Sequence, residues 1–186
     1  ILIYGVDIRY YSQAELRKAV GLVLQDPFLY HGTIESNIKM YQDDLTRQDV
    51  IAAAEFVDAD DFITNLPDGY DQAVTERGST LSSGQRQLIA FARTVAAQPK
   101  ILILDEATAN IDSETEEVIQ TSLKKMRQGR TTIAIAHRLS TIQDANCIYV
   151  LDKGRIIESG SHDQLLAQEG TYQKMYQLQA GMLQQS

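Results

Sequence analysis

The sequence has 186 residues, enough for one folded domain with an apolar core. Its net charge of −8 at pH 7 and its lack of a basic stripe argue against nucleic-acid binding. A single cysteine, Cys147, excludes a disulfide framework and a cysteine-rich zinc site, and it fits a reducing compartment. The apolar runs are too short to span a bilayer, and Ile1 to Ile3 resemble a strand rather than a signal peptide. We therefore expect further sequence upstream of Ile1.

Predicted strands and helices alternate along the chain. In chain order they are strands over 1–3, 20–24, 101–104 and 132–136, helices over 13–19, 46–57, 59–65, 84–97, 113–126 and 162–178, and a hairpin over 147–158. The apolar runs at 101–104 and 132–136 are typical of strands buried on both faces of a parallel sheet. The alternation predicts an α/β fold with a parallel-sheet core. The helix-rich stretch 45–98 interrupts it as a helical subdomain, which leaves 1–44 and 99–186 for the core.

Two carboxylates follow the apolar run Ile101–Leu104 directly. In open α/β sheets ligands bind at the carboxyl ends of the strands, where Asp105 and Glu106 emerge. Asp105 is suited to hold Mg²⁺ through water, and Glu106 to polarise an attacking water as a general base. The alternative for this short motif alone is a solvated acidic loop after a core strand.

The stretch Leu81-Ser82-Ser83-Gly84-Gln85 runs straight into a predicted helix. Backbone N–H groups at a helix N-terminus favour anions, and small hydroxyl residues let phosphate oxygens approach closely. The alternative is an ordinary N-cap by Ser82 or Ser83. One predicted helix separates this stretch from the two carboxylates, and this arrangement favours a phosphate-binding role for the stretch.

Three further polar residues stand at the ends of predicted elements. His137 ends the strand over 132–136, and its imidazole could donate a hydrogen bond to a γ-phosphate or an attacking water. A lone histidine there is more often structural or solvated. Gln25 ends the strand over 20–24, where its amide could bind Mg²⁺ or water, or simply be a polar stop. Asp112 could equally bind nucleotide or cap a helix.

The order and spacing of these motifs are more specific than any one of them. Together they resemble the nucleotide-binding domain of ABC transporters over essentially the whole chain. The resemblance matches Gln25 to the Q-loop, 81–85 to the signature motif, 101–105 to the Walker B strand, Glu106 to the catalytic glutamate, 109–112 to the D-loop and His137 to the switch histidine. It implies a RecA-like ATPase core with a C-terminal hairpin and helices.

The resemblance is closest to the exporters of this family. The segment Phe28–Ile38, with Gly32-Thr33-Ile34, is similar to the exporter stretch that follows the Q-loop. Residues 75–78, Thr-Glu-Arg-Gly, are similar to the exporter x-loop, which touches the membrane domain. The resemblance implies a transmembrane domain fused N-terminal to this one, and a place on the cytoplasmic face of the cell membrane.

The same resemblance implies the ligands and partner of the site. ATP and Mg²⁺ are held by Asp105, Glu106, Gln25 and His137 of one domain. A second such domain closes over the γ-phosphate with its own signature motif, the counterpart of Ser82–Gln85. Asp112 is expected to belong to the same group of nucleotide-binding residues.

Two departures from the family pattern matter. The sequence contains no Gly-x-x-x-x-Gly-Lys-Ser/Thr phosphate loop, which in the family lies upstream of the strand at Ile1, so we expect this stretch alone to be inactive. Ser83 stands where the signature usually has glycine. This serine predicts a heterodimer with two unequal ATP sites. The alternative is a homodimer that tolerates the serine.

Other classes of protein fit less well. Chromosome and DNA-repair ATPases of this type place long coiled coils between Q-loop and signature, whereas only 56 residues separate Gln25 from Ser82 here. A non-catalytic binding module is disfavoured by the presence of both Glu106 and His137.

Overall fold

The computed structural model describes residues 1–40, 42–75, 78–105, 113–136 and 139–184. The helices are α1 Gln13–Ala19, α2 Ile34–Lys39, α3 Arg47–Phe56, α4 Asp60–Thr64, α5 Ser83–Ala96, α6 Ser113–Arg127, α7 His162–Ala167 and α8 Thr171–Gln184. The strands are β1 Leu2–Ile3, β2 Val6–Asp7, β3 Val20–Val23, β4 Gly32–Thr33, β5 Ala73–Val74, β6 Ile101–Asp105, β7 Thr131–Ile135, β8 Ile148–Asp152 and β9 Arg155–Gly160. The predicted α/β class is confirmed.

The chain forms two compact units, Ile1–Ala134 and Ile135–Ser186. In the first, the central sheet has the strand order β3-β6-β7. Strands β3 and β6 run parallel, and Val23 pairs with Leu104. The separation into an ATPase core over 1–44 and 99–186 and a helical subdomain over 45–98 stays a prediction. Among the described residues, no helix combines the length and apolar character that a bilayer crossing requires.

The expectation of strands buried on both faces is wrong for part of this sheet. Val23, Leu102 and Leu104 are buried, whereas Leu22 is 53% exposed and Ile133 of β7 is 55% exposed. The alternation along β3 and β6 follows from the pleat, which turns successive side chains to opposite faces. Among the described elements, helices therefore cover one face of β3 and β6 and leave the other partly open.

Helix α5 lies at the centre of the first unit. Nine of its residues are buried, and α2, α3, α6 and β3 all pack against it. Its apolar residues Ile89 and Phe91 are fully buried, together with Ile34, Ile38 and Val50 from α2 and α3. Burying an apolar side chain of this size stabilises a fold by about 1.5–3 kcal/mol. Helix α5 is therefore held in place on several sides.

Several helices begin with a reciprocal capping box. In each, a serine or threonine before the first turn bonds the third backbone N–H, and the side chain at that third position bonds back. The pairs are Ser12 and Glu15, Thr33 and Ser36, Thr46 and Asp49, Ser82 and Gln85, and Ser161 and Gln164. Of the two N-caps that the sequence left open, Ser82 and Ser83, the structure has Ser82.

The second unit contains the predicted hairpin. Strands β8 and β9 are antiparallel, with Asp152 paired to Arg155 across the turn. The two turn residues, Lys153 and Gly154, both have positive φ, at 47° and 76°. Those angles match the turn type that two-residue hairpins favour, in which a glycine costs least. A small core of Leu139, Ile148, Leu165 and Tyr172 holds this unit together.

The single helix predicted over 162–178 is broken into α7 and α8. Glu169 between them has a φ of 53°, outside the helical range. Glu158 accepts hydrogen bonds from the backbone N–H groups of Tyr172 and Thr171, the first residues of α8. These bonds hold the pKa of Glu158 below its ordinary value. The sequence did not predict this break, because Glu158, which binds the start of α8, lies on a different element, strand β9.

Candidate functional site

The parallel pairing of β3 and β6 sets the register of two predicted site residues. Val23 stands opposite Leu104, so Leu24 is level with Asp105, and Gln25 is the next residue of the chain. Asp105 is the last residue of β6 and is half-buried, and Gln25 is exposed. The structure therefore brings Gln25 and Asp105 to the same edge of the sheet, the edge at which open α/β proteins bind ligands.

Three predicted site residues, Glu106, Asp112 and His137, lie outside the described residues. Glu106 is the residue after Asp105 in the sequence, and His137 comes two residues after Ile135, the end of β7. Strand β7 is the neighbour of β6 in the sheet. The predicted roles of these three residues remain predictions.

The stretch Ser82–Gln85 forms the capped start of α5. The Ser82 Oγ accepts a hydrogen bond from the Gln85 N–H at 3.1 Å, and the Gln85 Oε1 accepts one from the Ser82 N–H at 3.0 Å. Ser83 is half-buried and begins the helix. Both alternatives from the sequence are thus compatible here, because a capped helix N-terminus is also a favourable place for an anion.

Gly84 fits a space in which no side chain would. It is buried against Thr115 of α6, and a Cβ built on Gly84 would lie 3.0 Å from the Thr115 Cβ and closer still to its Cγ2. Glycine thus allows α5 and α6 to approach at the level of the Ser82–Gln85 turn. The position of this turn is therefore tied to helix α6, which follows the segment containing Glu106 and Asp112.

The residues available for Mg²⁺ include one strand-end carboxylate. A carboxylate from Asp105 and an amide oxygen from Gln25 are hard oxygen donors of the kind that Mg²⁺ prefers. Within the described ranges, no group of three or more His, Cys, Asp or Glu side chains could hold a metal by itself. This donor set fits a Mg²⁺ that takes few protein ligands and completes its shell with water and phosphate oxygens.

The two segments that resemble those of exporters, 28–38 and 75–78, differ in how far the structure describes them. In the segment after Gln25, Phe28 and Tyr30 are exposed, and their rings meet edge to face with centroids 4.9 Å apart. Of the 75–78 stretch, Glu76 and Arg77 lie outside the described residues. Thr75 and Gly78 on either side are joined by a hydrogen bond of 2.8 Å from the Gly78 N–H to the Thr75 carbonyl.

Sequence reasoning missed three polar residues next to the site. Asn37, Gln87 and Arg93 donate to the main chain of the segment around Gln25. Asn37 and Gln87 are almost completely buried. A glutamine and an arginine within the otherwise apolar run of α5 were the available signal, because buried polar groups need partners.

The chain is similar to transporters over most of its length. Residues 1–109 match the family model described as ABC transporter. A Streptococcus pneumoniae protein named as an ABC transporter ATP-binding protein, exp8, is 75% identical over 183 residues, which are 98% of this chain and 31% of that protein. The ATP-dependent lipid A-core flippase of Syntrophus aciditrophicus is 47% identical over 179 residues, 96% of this chain and 30% of the flippase.

A solved structure shows the same likeness. The structure of a bacterial Atm1-family ABC exporter with ATP bound matches 96% of this chain and 31% of its own chain, with a TM-score of 0.87 and 47% identity. The chain thus spans less than a third of the length of each of these relatives.

Proposed function

The chain belongs to the ABC transporter family, and we propose that it is the ATP-binding and hydrolysing domain that drives substrate export across a membrane. The observation that carries this proposal is the placing of Gln25 and Asp105 together at the end of the paired strands β3 and β6. The capped turn Ser82–Gln85 adds a second phosphate-binding element. The relatives named as a lipid flippase and an exporter support the direction of transport.

The residues of this chain divide into distinct chemical roles. Asp105 holds Mg²⁺ through water, with Gln25 as a second oxygen donor to the metal or to the attacking water. Glu106 acts as the general base that polarises this water. His137 donates a hydrogen bond to the γ-phosphate. A Mg²⁺ held by Asp105 and Gln25 would offset the negative charge that hydrolysis moves onto the phosphate oxygens.

Two such domains sandwich two ATP molecules head to tail. The Ser82–Gln85 turn then covers the γ-phosphate of an ATP held by the partner, and Asp112 lies near the same boundary. Closure makes contacts with ATP that ADP lacks, which is the difference in affinity that a ligand needs to shift a conformational equilibrium. ATP binding thereby closes the pair of domains, and hydrolysis allows the two domains to separate again.

A transmembrane domain carries the substrate path. We place it N-terminal to this chain on the same polypeptide, with this domain on the cytoplasmic face of the membrane. The exposed aromatic pair Phe28 and Tyr30 offers an apolar contact for it. The polar stretch 75–78, Thr-Glu-Arg-Gly, is proposed as a second contact.

We expect the full-length protein to hydrolyse ATP with Mg²⁺, and residues 1–186 alone not to. The short chain has no phosphate loop to contact the β- and γ-phosphates, which are the main electrostatic contacts of such a site. Calorimetry with ATP and phosphate release on both proteins check this. Micromolar affinity or turnover by residues 1–186 would contradict the assignment of the phosphate contacts.

We further propose that the partner is a different chain and that the two ATP sites are unequal. Ser83 is the first residue of α5, where a glycine would let the backbone approach the partner's γ-phosphate more closely. The site built on Glu106 and His137 has its chemistry intact. The two facts agree if the site closed by Ser82–Gln85 is the weaker one and a partner's signature closes the other.

Co-expression of the full-length protein with a second exporter subunit is expected to raise ATPase activity several-fold above that of either subunit alone. Ser83→Gly is expected to raise the ATPase rate of the subunit expressed alone, because glycine lets the turn close more tightly over the γ-phosphate. ATPase rates and native mass spectrometry of the purified complexes measure both effects. A fully active homodimer with a rate unchanged by Ser83→Gly would support the homodimer instead.

A further inference from the structure

Helix α5 holds the main chain on both sides of Gln25. The Gln87 Nε2 donates to the Leu24 carbonyl at 3.4 Å, and the Arg93 Nη1 donates to the Phe28 carbonyl at 3.0 Å. The residues between these two carbonyls are Gln25, Asp26 and Pro27. A segment of three residues fixed at both ends to one helix has little freedom to move independently of that helix.

Asn37 of α2 completes the attachment. Arg93 donates from Nε to the Asn37 carbonyl at 2.7 Å and from Nη2 to the Asn37 Oδ1 at 3.0 Å. The Asn37 side chain, 1% exposed, also exchanges hydrogen bonds with Tyr30: its Oδ1 accepts from the Tyr30 N–H at 2.8 Å, and its Nδ2 donates to the Tyr30 carbonyl at 2.9 Å. The guanidinium lies over the Tyr30 ring, 5.8 Å from its centre.

This network needs an arginine in particular. The fork of Arg93 reaches the Phe28 carbonyl and two oxygens of Asn37 from three different nitrogens. A lysine has a single ammonium group and cannot keep this planar arrangement. Because Asn37 is buried, loss of Arg93 leaves its oxygens with fewer partners, and such losses spread through a shared network.

We infer that Arg93 is a positioning residue for Gln25, acting with Asn37 and Gln87 to make the Gln25 segment and helix α5 move as one body. The inference rests on the proposed function, in which Gln25 serves the chain's own ATP. Helix α5 begins at Ser83, in the turn that covers the partner's ATP. Closure of this turn on one ATP thereby sets the position of Gln25 at the other, so Arg93 connects the two sites within one chain.

The test is a double-mutant cycle in the full-length protein. ATP turnover is measured for Arg93→Ala, Gln25→Ala and the double variant. If Arg93 acts through Gln25, its replacement costs nothing once Gln25 is gone, and the effects of the two changes do not multiply. We expect Arg93→Ala to lower kcat by about 10- to 100-fold with little change in the KM for ATP, because misplacement of a catalytic group by about 1 Å costs that much.

Arg130 provides the matched control. It is also partly buried and donates to two carbonyls, from Nε to Pro99 at 3.1 Å and from Nη1 to Met126 at 2.6 Å. A merely structural role for Arg93 would make Arg93→Ala behave like Arg130→Ala, with an effect that multiplies with that of Gln25→Ala. That result would overturn the inference.

Two further variants keep the test decisive if Arg93→Ala does not fold. Arg93→Lys retains the charge but not the fork, and Gln87→Met removes only the donor to Leu24. Both are expected to lower kcat and to show no added loss in a Gln25→Ala background. Wild-type kcat in Arg93→Lys would also overturn the inference. Absence of ATP turnover in the wild type would instead refute the proposed function itself.

Discussion

Replacing Glu106 with glutamine in the full-length protein is expected to lower ATP turnover by about 10²–10⁴-fold, the usual contribution of a general base. The amide keeps the size of the side chain but cannot take a proton from the attacking water. ATP binding should survive, because the phosphate contacts and the metal-binding carboxylate of Asp105 are unchanged. The closed dimer should then accumulate with ATP bound, which size-exclusion chromatography and nucleotide retention can measure.

Glu117→Gln is the control for this change. Glu117 is an exposed residue on α6, outside the proposed site, so its replacement should leave turnover within about twofold of the wild type. If Glu106→Gln instead loses ATP binding while turnover per bound ATP is retained, the roles of Asp105 and Glu106 have been misassigned.

Replacing Gly84 with alanine is expected to destabilise the protein by about 1–3 kcal/mol, the usual cost of overpacking a buried site. Alanine is the better helix former by about 1 kcal/mol, but its methyl group would overlap Thr115 of α6. Either α5 or α6 must shift, and a shift of α5 displaces the Ser82–Gln85 turn. The melting temperature and the ATP turnover of the full-length protein should therefore both decrease.

Two companion variants separate this clash from helix propensity. Thr115→Gly removes the opposing side chain and should restore much of what Gly84→Ala loses. Gly181→Ala makes the same substitution in helix α8 at a site where an added Cβ meets nothing within 4 Å, and it should be neutral or stabilising. A Gly84→Ala protein as stable as the wild type would show that α5 and α6 are not in tight contact there.

Local sequence patterns predicted the parts of the fold that local physics decides. The apolar runs before Gln25 and Asp105 gave strands, and the parallel pairing then placed both residues at one edge. The stretch 81–85 was expected to run into a helix, with an N-cap by Ser82 or Ser83 as one of its two interpretations, and Asp152-Lys153-Gly154 predicted a hairpin. The strands, the capped helix start and the hairpin depend on residues that are close together in the chain, whereas the parallel pairing joins distant residues such as Val20 and Ile101.

The features missed from the sequence depend on contacts between distant residues. Glu158 fixes the break between α7 and α8 from a different element, and the exposure of β7 depends on what packs against the sheet. The network of Arg93 and Asn37 joins residues 56 positions apart. The polar residues of α5 indicated that buried partners are needed, but they did not indicate that those partners lie in the segment around Gln25.

The pairing of β3 with β6 also determines the order of events as the protein is synthesised. Val20 pairs with Ile101, 81 positions later, and α2, α3 and the whole of α5 lie between them. A ribosome that adds about 5–20 residues per second completes β6 about 4–16 s after β3. During that interval the nascent chain can assemble α2, α3 and α5 from nearby contacts, while β3 still lacks β6, its partner in the part of the sheet that the structure describes. We expect chaperones that recognise short apolar segments to engage β3 in this interval and to release it once β6 has been made.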